Sequence, residues 1–134
     1  MTYEDGILYA VQVAKGDISV CRNVRLACQR FLDQLENRHW EWEFHVDYVE
    51  HFLEFAKTLV HTKGPDAGKP LILEPFQLFI ICAIYGFRSK RDRKLRMVTD
   101  VIVFIPRKAG KSTLTAAIAL YELVWGEPGA EVYT

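Results

Sequence analysis

The stretch VIVFIPRKAGKST, from Val101 to Thr113, decides how the rest of the chain is read. Val101, Ile102, Val103, Phe104 and Ile105 form a continuous apolar run rich in β-branched residues, which predicts a parallel strand buried on both faces. Pro106 has no N–H to give a ladder and stops it. Gly110, Lys111 and Ser112 supply a GKS triplet, and the residues from Ser112 to Trp125 carry a helical pattern directly behind it. Strand, turn and helix in that order are the context in which such a triplet binds phosphate.

Each residue of the turn has a separate task. A nucleotide's phosphates need several N–H donors converging on one spot, and a loop leading into a helix N-terminus presents them with the helix dipole behind. Gly110 lets the backbone come close, and Lys108 and Ala109 complete the turn around the same nucleotide. Lys111 would set its ammonium against the β- and γ-phosphates, Ser112 would offer its hydroxyl to Mg²⁺, and Thr113 would add a contact from the first turn. The full pattern wants a glycine five positions before Gly110, where this chain has Ile105. The flanking strand and helix therefore carry the assignment; without them Gly110 makes only a tight turn and Lys111 is solvated.

A length of 134 residues gives one domain's worth of chain at most. Half the residues are hydrophobic and a quarter charged, a globular composition, and the formal charges balance. Only the local distribution of charge can then speak about a nucleic-acid partner. Cys21, Cys28 and Cys82 lack metal-ligand spacing and read as small core residues of a reduced, cytoplasmic protein. The longest uncharged run, Pro75 to Phe87, is too short to span a bilayer, and MTYEDG does not open a signal peptide.

Along the chain, Ile7, Leu8, Val11 and Ala14 predict an amphipathic helix from Glu4 to Lys15, ended by Gly16. A second is expected from an N-cap at Ser19 to Asn37, burying Val20, Val24, Ala27, Phe31 and Leu35. A third runs from Phe44 to Thr62, with His45, His51 and His61 in surface or capping roles. Pro75 opens a fourth, which Gly86 closes. Gln77 near its start carries the donor and acceptor that reading an adenine edge requires, although an exposed helical glutamine is the plainer reading. Arg88, Lys90, Arg91, Arg93, Lys94 and Arg96 surround a single Asp92; they form a solvated hairpin or a track for a phosphodiester backbone, with Arg91, Arg93 and Lys94 as the DNA candidates. The phosphate-turn helix is expected to bury Leu114, Ala117, Ile118, Tyr121 and Val124, and Ala130 to Thr134 to open a further strand.

Taken together, HTKGPDAGKPLILEPFQ from His61 to Gln77, IPRKAGKSTLTAAIALYEL from Ile105 to Leu123 and GEPGAEVY from Gly126 to Tyr133 resemble the N-terminal part of a tailed-phage terminase large subunit. A phosphate turn without its first glycine is a feature of that family. The resemblance implies an α/β fold: a helical region over residues 1–70, then the beginning of a P-loop ATPase domain over 71–134. It implies an Mg-ATP site in which Lys111 holds the β- and γ-phosphates, Ser112 ligates the metal and Gln77 reads adenine. Arg107 matches the family's P-loop arginine, which would stabilise charge on the γ-phosphate. The implied partners are double-stranded DNA, the remainder of the large subunit, the small terminase subunit and the portal protein, in the host cytoplasm.

After Leu114 no apolar strand ends in the paired acids that would hold Mg²⁺ and orient water, and the family's nuclease cluster is missing. The expectation is a truncated or split terminase, binding nucleotide and hydrolysing it poorly, with Val101 to Ile105 left unpaired unless Ala130 to Thr134, a complementing segment or a second copy supplies an edge. Another P-loop ATPase of helicase type, or a non-catalytic helical module with a vestigial turn, are the other readings.

Overall fold

Thr2 and Gly16 bound the first helix. Thr2 donates its backbone N–H to Asp5 Oδ2 at 2.9 Å, half of a reciprocal cap, and Gly16 takes the left-handed φ of 87° that ends α1 (Tyr3–Lys15). The computed structural model describes residues 1–133, and these fall into two compact units: 1–51 with 73–101, and 52–72 with the chain from 102 onward. The division falls inside a helix, α3 (Val46–Lys57).

The first unit packs α1 against α2 (Arg22–Glu36) and α4 (Pro75–Tyr85). Gly6 is what lets α1 and α4 approach: a Cβ there would stand 2.7 Å from the backbone carbon of Leu78. Ala10, Val13, Cys28, Phe31, Ile81 and Cys82 are buried around this contact. Phe31 is the hub of an aromatic cluster, meeting Phe79 at 5.3 Å, Phe87 at 5.7 Å and Phe44 at 6.0 Å, each ring edge to face. That geometry sets the positive edge of one ring on the negative face of the next. Phe44 and Phe87 belong to β1 (Trp42–Phe44) and β2 (Phe87–Ser89), an antiparallel pair in register Phe44↔Phe87 and Trp42↔Ser89. On its other side β2 is closed by Leu95 to Met97, so the basic stretch is a tight hairpin, with Ser89 N–H on Leu95 O at 3.0 Å and Met97 N–H on Phe87 O at 3.1 Å.

The second unit holds the last turns of α3, a small ladder and α5 (Lys111–Trp125). The ladder pairs Leu59 to His61 with Lys69 to Leu71, through Leu71 N–H to Leu59 O at 2.8 Å and His61 N–H to Lys69 O at 3.0 Å. The residues from Thr62 to Gly68 that it closes off are exposed. Leu114, Ala117 and Tyr121 are the buried face of α5, with the Tyr121 ring 4.9 Å from Phe52 and 5.5 Å from Phe55.

Several expectations are corrected. Val101 to Ile105 is not a buried parallel strand: no ladder runs along it, Ile102 is 94 % exposed and Phe104 fully so. A strand is completed by its neighbour, and among the described residues none lies alongside, so the β-branched run stays extended and unpaired. The sheet among the described residues is the two-stranded antiparallel one. No strand forms at 130–133, and Thr134 lies outside the described residues. Ser19 is not the cap of α2, which Cys21 opens; Cys21 is exposed rather than core. α3 stops at Lys57, because the breaker-rich loop draws Leu59 to His61 into the ladder. Val124 is exposed, since α5 is apolar on both sides and only one side is covered. Among the described residues no helix is long and apolar enough to cross a membrane.

Candidate functional site

Pro106 to Gly110 forms the turn that leads into α5. Lys108 has a φ of 65° and Gly110 a φ of 73°, two left-handed residues on either side of Ala109. For a residue with a side chain that conformation costs about 1–2 kcal/mol. Left-handed residues in a turn direct successive N–H groups to one side, and such a concavity binds anions. The helix then adds its own donors. Leu114 donates the first intrahelical bond, to Gly110 O at 2.9 Å, so the amides of Lys111, Ser112 and Thr113 precede the ladder and point out of the N-terminus.

The side chains match the backbone. Arg107, Lys108, Lys111, Ser112 and Thr113 are exposed, and no carboxylate occurs between Asp100 and Glu122. Among the described residues no ion pair engages Arg107, Lys108 or Lys111. Cations and the first amides of α5 thus collect at one turn, an arrangement that suits a polyphosphate. A Mg²⁺ ion there fits Ser112, whose hydroxyl is in the first helical turn and solvent-accessible, because Mg²⁺ takes few protein ligands and completes its shell with phosphate and water.

Gln77 belongs to the first unit, whereas the phosphate turn belongs to the second. It is buried, 6 % exposed, and its Oε1 accepts the Glu74 N–H at 2.9 Å, which closes the cap of α4 behind Pro75. The exposed helical position is thus excluded.

The basic hairpin divides by role. Arg88 is buried, donates Nε–H to Tyr85 O at 3.1 Å and lays its guanidinium 3.7 Å from the centre of the Tyr48 ring. Arg96 stands 5.7 Å over Tyr85. These two hold the hairpin to the first unit by cation–π contact. Arg91, Arg93 and Lys94 are exposed at its tip, together with Lys90, whose Nζ donates to Arg38 O at 2.8 Å. Arg93 reaches Asp47 at 2.9 Å, an exposed pair that leaves its charge accessible to solvent. Nothing in the sequence signalled the Tyr48–Arg88 stack, because the two residues lie on separate elements.

The two buried thiols serve packing. Burial pushes Cys28 up to about 11 and Cys82 up to about 12, and Cys82 donates Sγ–H to Tyr3 O at 3.6 Å. Both are therefore neutral, weakly nucleophilic groups.

Residues 75–133 match the family model described as terminase large subunit, ATPase domain. The match takes in α4, the basic hairpin, the phosphate turn and α5. No curated protein and no solved structure matches the chain.

Proposed function

We propose that this chain, whose residues 75–133 match the ATPase domain of a terminase large subunit, binds Mg-ATP at the turn 106–113. It does so as the nucleotide-binding part of a motor that packages double-stranded DNA in the host cytoplasm. The observation that carries the reading is the left-handed turn at Lys108 and Gly110 opening onto α5, within the matched segment. Lys111 holds the β- and γ-phosphates, Ser112 ligates Mg²⁺, Thr113 and the amides of Lys108 to Gly110 line the phosphates, and Arg107 stabilises charge that develops on the γ-phosphate. Gln77 recognises adenine only if its side chain leaves the Glu74 amide, so its role in this reading depends on a rearrangement of the α4 cap. Residues 1–70 form the helical N-terminal region and 71 onward the opening of the ATPase domain.

Calorimetry of Mg-ATP binding, with Lys111→Ala as control, tests the reading. Removing one charged hydrogen-bond partner should weaken binding by about tenfold or more. Equal affinity of the two proteins, or no binding by either, would exclude it.

The hairpin tip is the DNA contact in this proposal. Replacing Arg91, Arg93 and Lys94 by Ala should make the slope of log affinity against log salt shallower by about 2–3, at roughly 0.9 per phosphate contact. An unchanged slope would remove the hairpin from the interface.

A further inference from the structure

The basic hairpin, Arg88 to Arg96, carries no aromatic residue of its own, but the fold sets one beside it. Trp42 of β1 lies opposite Ser89 in the ladder, and Lys90 donates its backbone N–H to Glu41 O at 2.9 Å, so the start of the basic tip runs alongside the tryptophan. Between β1 and the end of α2 is a groove of about 260 Å³ whose lining includes Gln34, Asn37, Arg38, Trp42, Glu43 and Lys90. Trp42 is half-buried, and among the described residues its ring joins none of the edge-to-face pairs around Phe31 and Phe87, whereas Trp40 stands 5.9 Å from Phe87. Arg38 and Lys90 are exposed, and among the described residues neither enters an ion pair. The Glu43 carboxylate is engaged by His45, with Nε2 2.8 Å from Oε1. Asn37 Oδ1 accepts the His39 N–H at 3.1 Å, which leaves the amide NH₂ to donate.

We infer that this groove takes an unpaired base of a DNA strand, stacked on the Trp42 indole, with the flanking phosphates on Arg38 and Lys90. An aromatic face beside cations is the combination that holds single strands: stacking supplies affinity from any base, and the cations follow the backbone. The groove is smaller than the ~300–1,000 Å³ of ordinary ligand clefts, a size for one base rather than for a larger molecule. A duplex keeps its bases within the stack and offers Trp42 none of them. Gln34 and Asn37 bring amides that can meet the edge of a base. The inference rests on the DNA contact proposed for the hairpin tip and extends it from backbone charge to an exposed base; it is independent of the phosphate turn.

Fluorescence anisotropy of the full chain tests it with three labelled probes: a thymidine oligomer of about eight nucleotides, the abasic strand of the same length, and a duplex. The parent should bind the thymidine oligomer about tenfold more tightly than the abasic strand, which has the phosphates without the bases. Trp42→Leu keeps apolar bulk and loses the aromatic face. It should bring the thymidine oligomer down to the abasic affinity and leave the duplex within about threefold of the parent, and Trp42→Phe should stay within about threefold on all three probes. Lys90→Gln should make the oligomer's salt slope shallower by about 0.7, one phosphate contact on a single strand. The thymidine-to-abasic ratio of the parent needs no substitution, so it decides the matter even where Trp42→Leu unsettles β1. Equal affinity of the parent for those two strands would overturn the inference and leave duplex binding at the hairpin tip standing. Equal losses of oligomer and duplex in a Trp42→Leu protein with an unchanged urea midpoint would also overturn it, the indole then serving only to support the hairpin. Absence of binding to any of the three probes would overturn the DNA reading and this inference together.

Discussion

Phe31 in the first unit meets three aromatic rings edge-on and is buried, whereas Phe104 in the second stands fully exposed on the segment leading to the phosphate turn. Phe31 lies on the apolar face of an amphipathic helix and Phe104 in a continuous apolar run, and both have good local propensity. The difference is one of neighbours: α4 and the β1–β2 pair bring rings around Phe31, while no strand among the described residues reaches Val101 to Ile105. Hydrophobicity supplies the drive to be covered, and topology supplies the cover. The same contrast separates the roles of the units. One is finished as a core; the other presents amides, cations and bare apolar side chains.

Phe31→Ala is the substitution that should break this comparison most severely. Losing a buried ring at the hub of the cluster should cost about 3–5 kcal/mol, a large part of a domain's stability, and urea unfolding followed by the fluorescence of Trp40 and Trp42 would measure it. A loss below about 1 kcal/mol would mean that the cluster is not what holds the first unit.

A middling effect should come from alkaline pH. Cys28 and Cys82 are both raised above their ordinary 9.0 by burial, so the folded chain keeps protons that the unfolded chain has released. From about pH 9 upward the unfolded state binds fewer protons than the native one, and stability falls as pH rises. The urea midpoint should thus be lower at about pH 10 than at about pH 8, with a smaller drop in Cys82→Ala. Thiol labelling gives the companion result: Cys21 reacts at once, and Cys28 and Cys82 only when the first unit opens.

Least should follow, for stability, from Phe104→Ser. An exposed side chain away from any contact should change the unfolding free energy by no more than about 0.5 kcal/mol. Sedimentation at rising concentration should instead show less self-association than the parent, because exposed apolar surface promotes it. A destabilisation as large as that of Phe31→Ala would show that Phe104 is covered in solution.

What the sequence made legible follows the range of each interaction. α1, α4 and α5 could be placed to within a residue or so because their punctuation is local: Gly16 at one end, Pro75 and Gly86 around another, Gly110 before the third. The turn from Pro106 to Gly110 is legible for the same reason. The apolar run of Val101 to Ile105 predicts a strand that does not form, because a strand is a property of a pair, and periodicity describes only one member. The three-residue strands β1 and β2 leave no signal in the sequence because they are defined by Phe44 meeting Phe87 rather than by any pattern of their own. Val124 is exposed where helical spacing predicts burial, because α5 is apolar on two sides, and composition does not say which one finds a neighbour. Lys108 was legible as a turn residue, but its handedness was not, since residue preference argues against it.

The ladder at Leu59 to His61 and Lys69 to Leu71 has a practical meaning for anyone handling this protein. Its backbone bonds fasten the two ends of an exposed segment, so the ends stay together whatever the length between them. Doubling a flexible loop costs only about 0.6 kcal/mol in closure entropy. The segment from Thr62 to Gly68 is therefore where an affinity tag, a fluorophore-bearing peptide or a protease site can be spliced in while the phosphate turn is left intact.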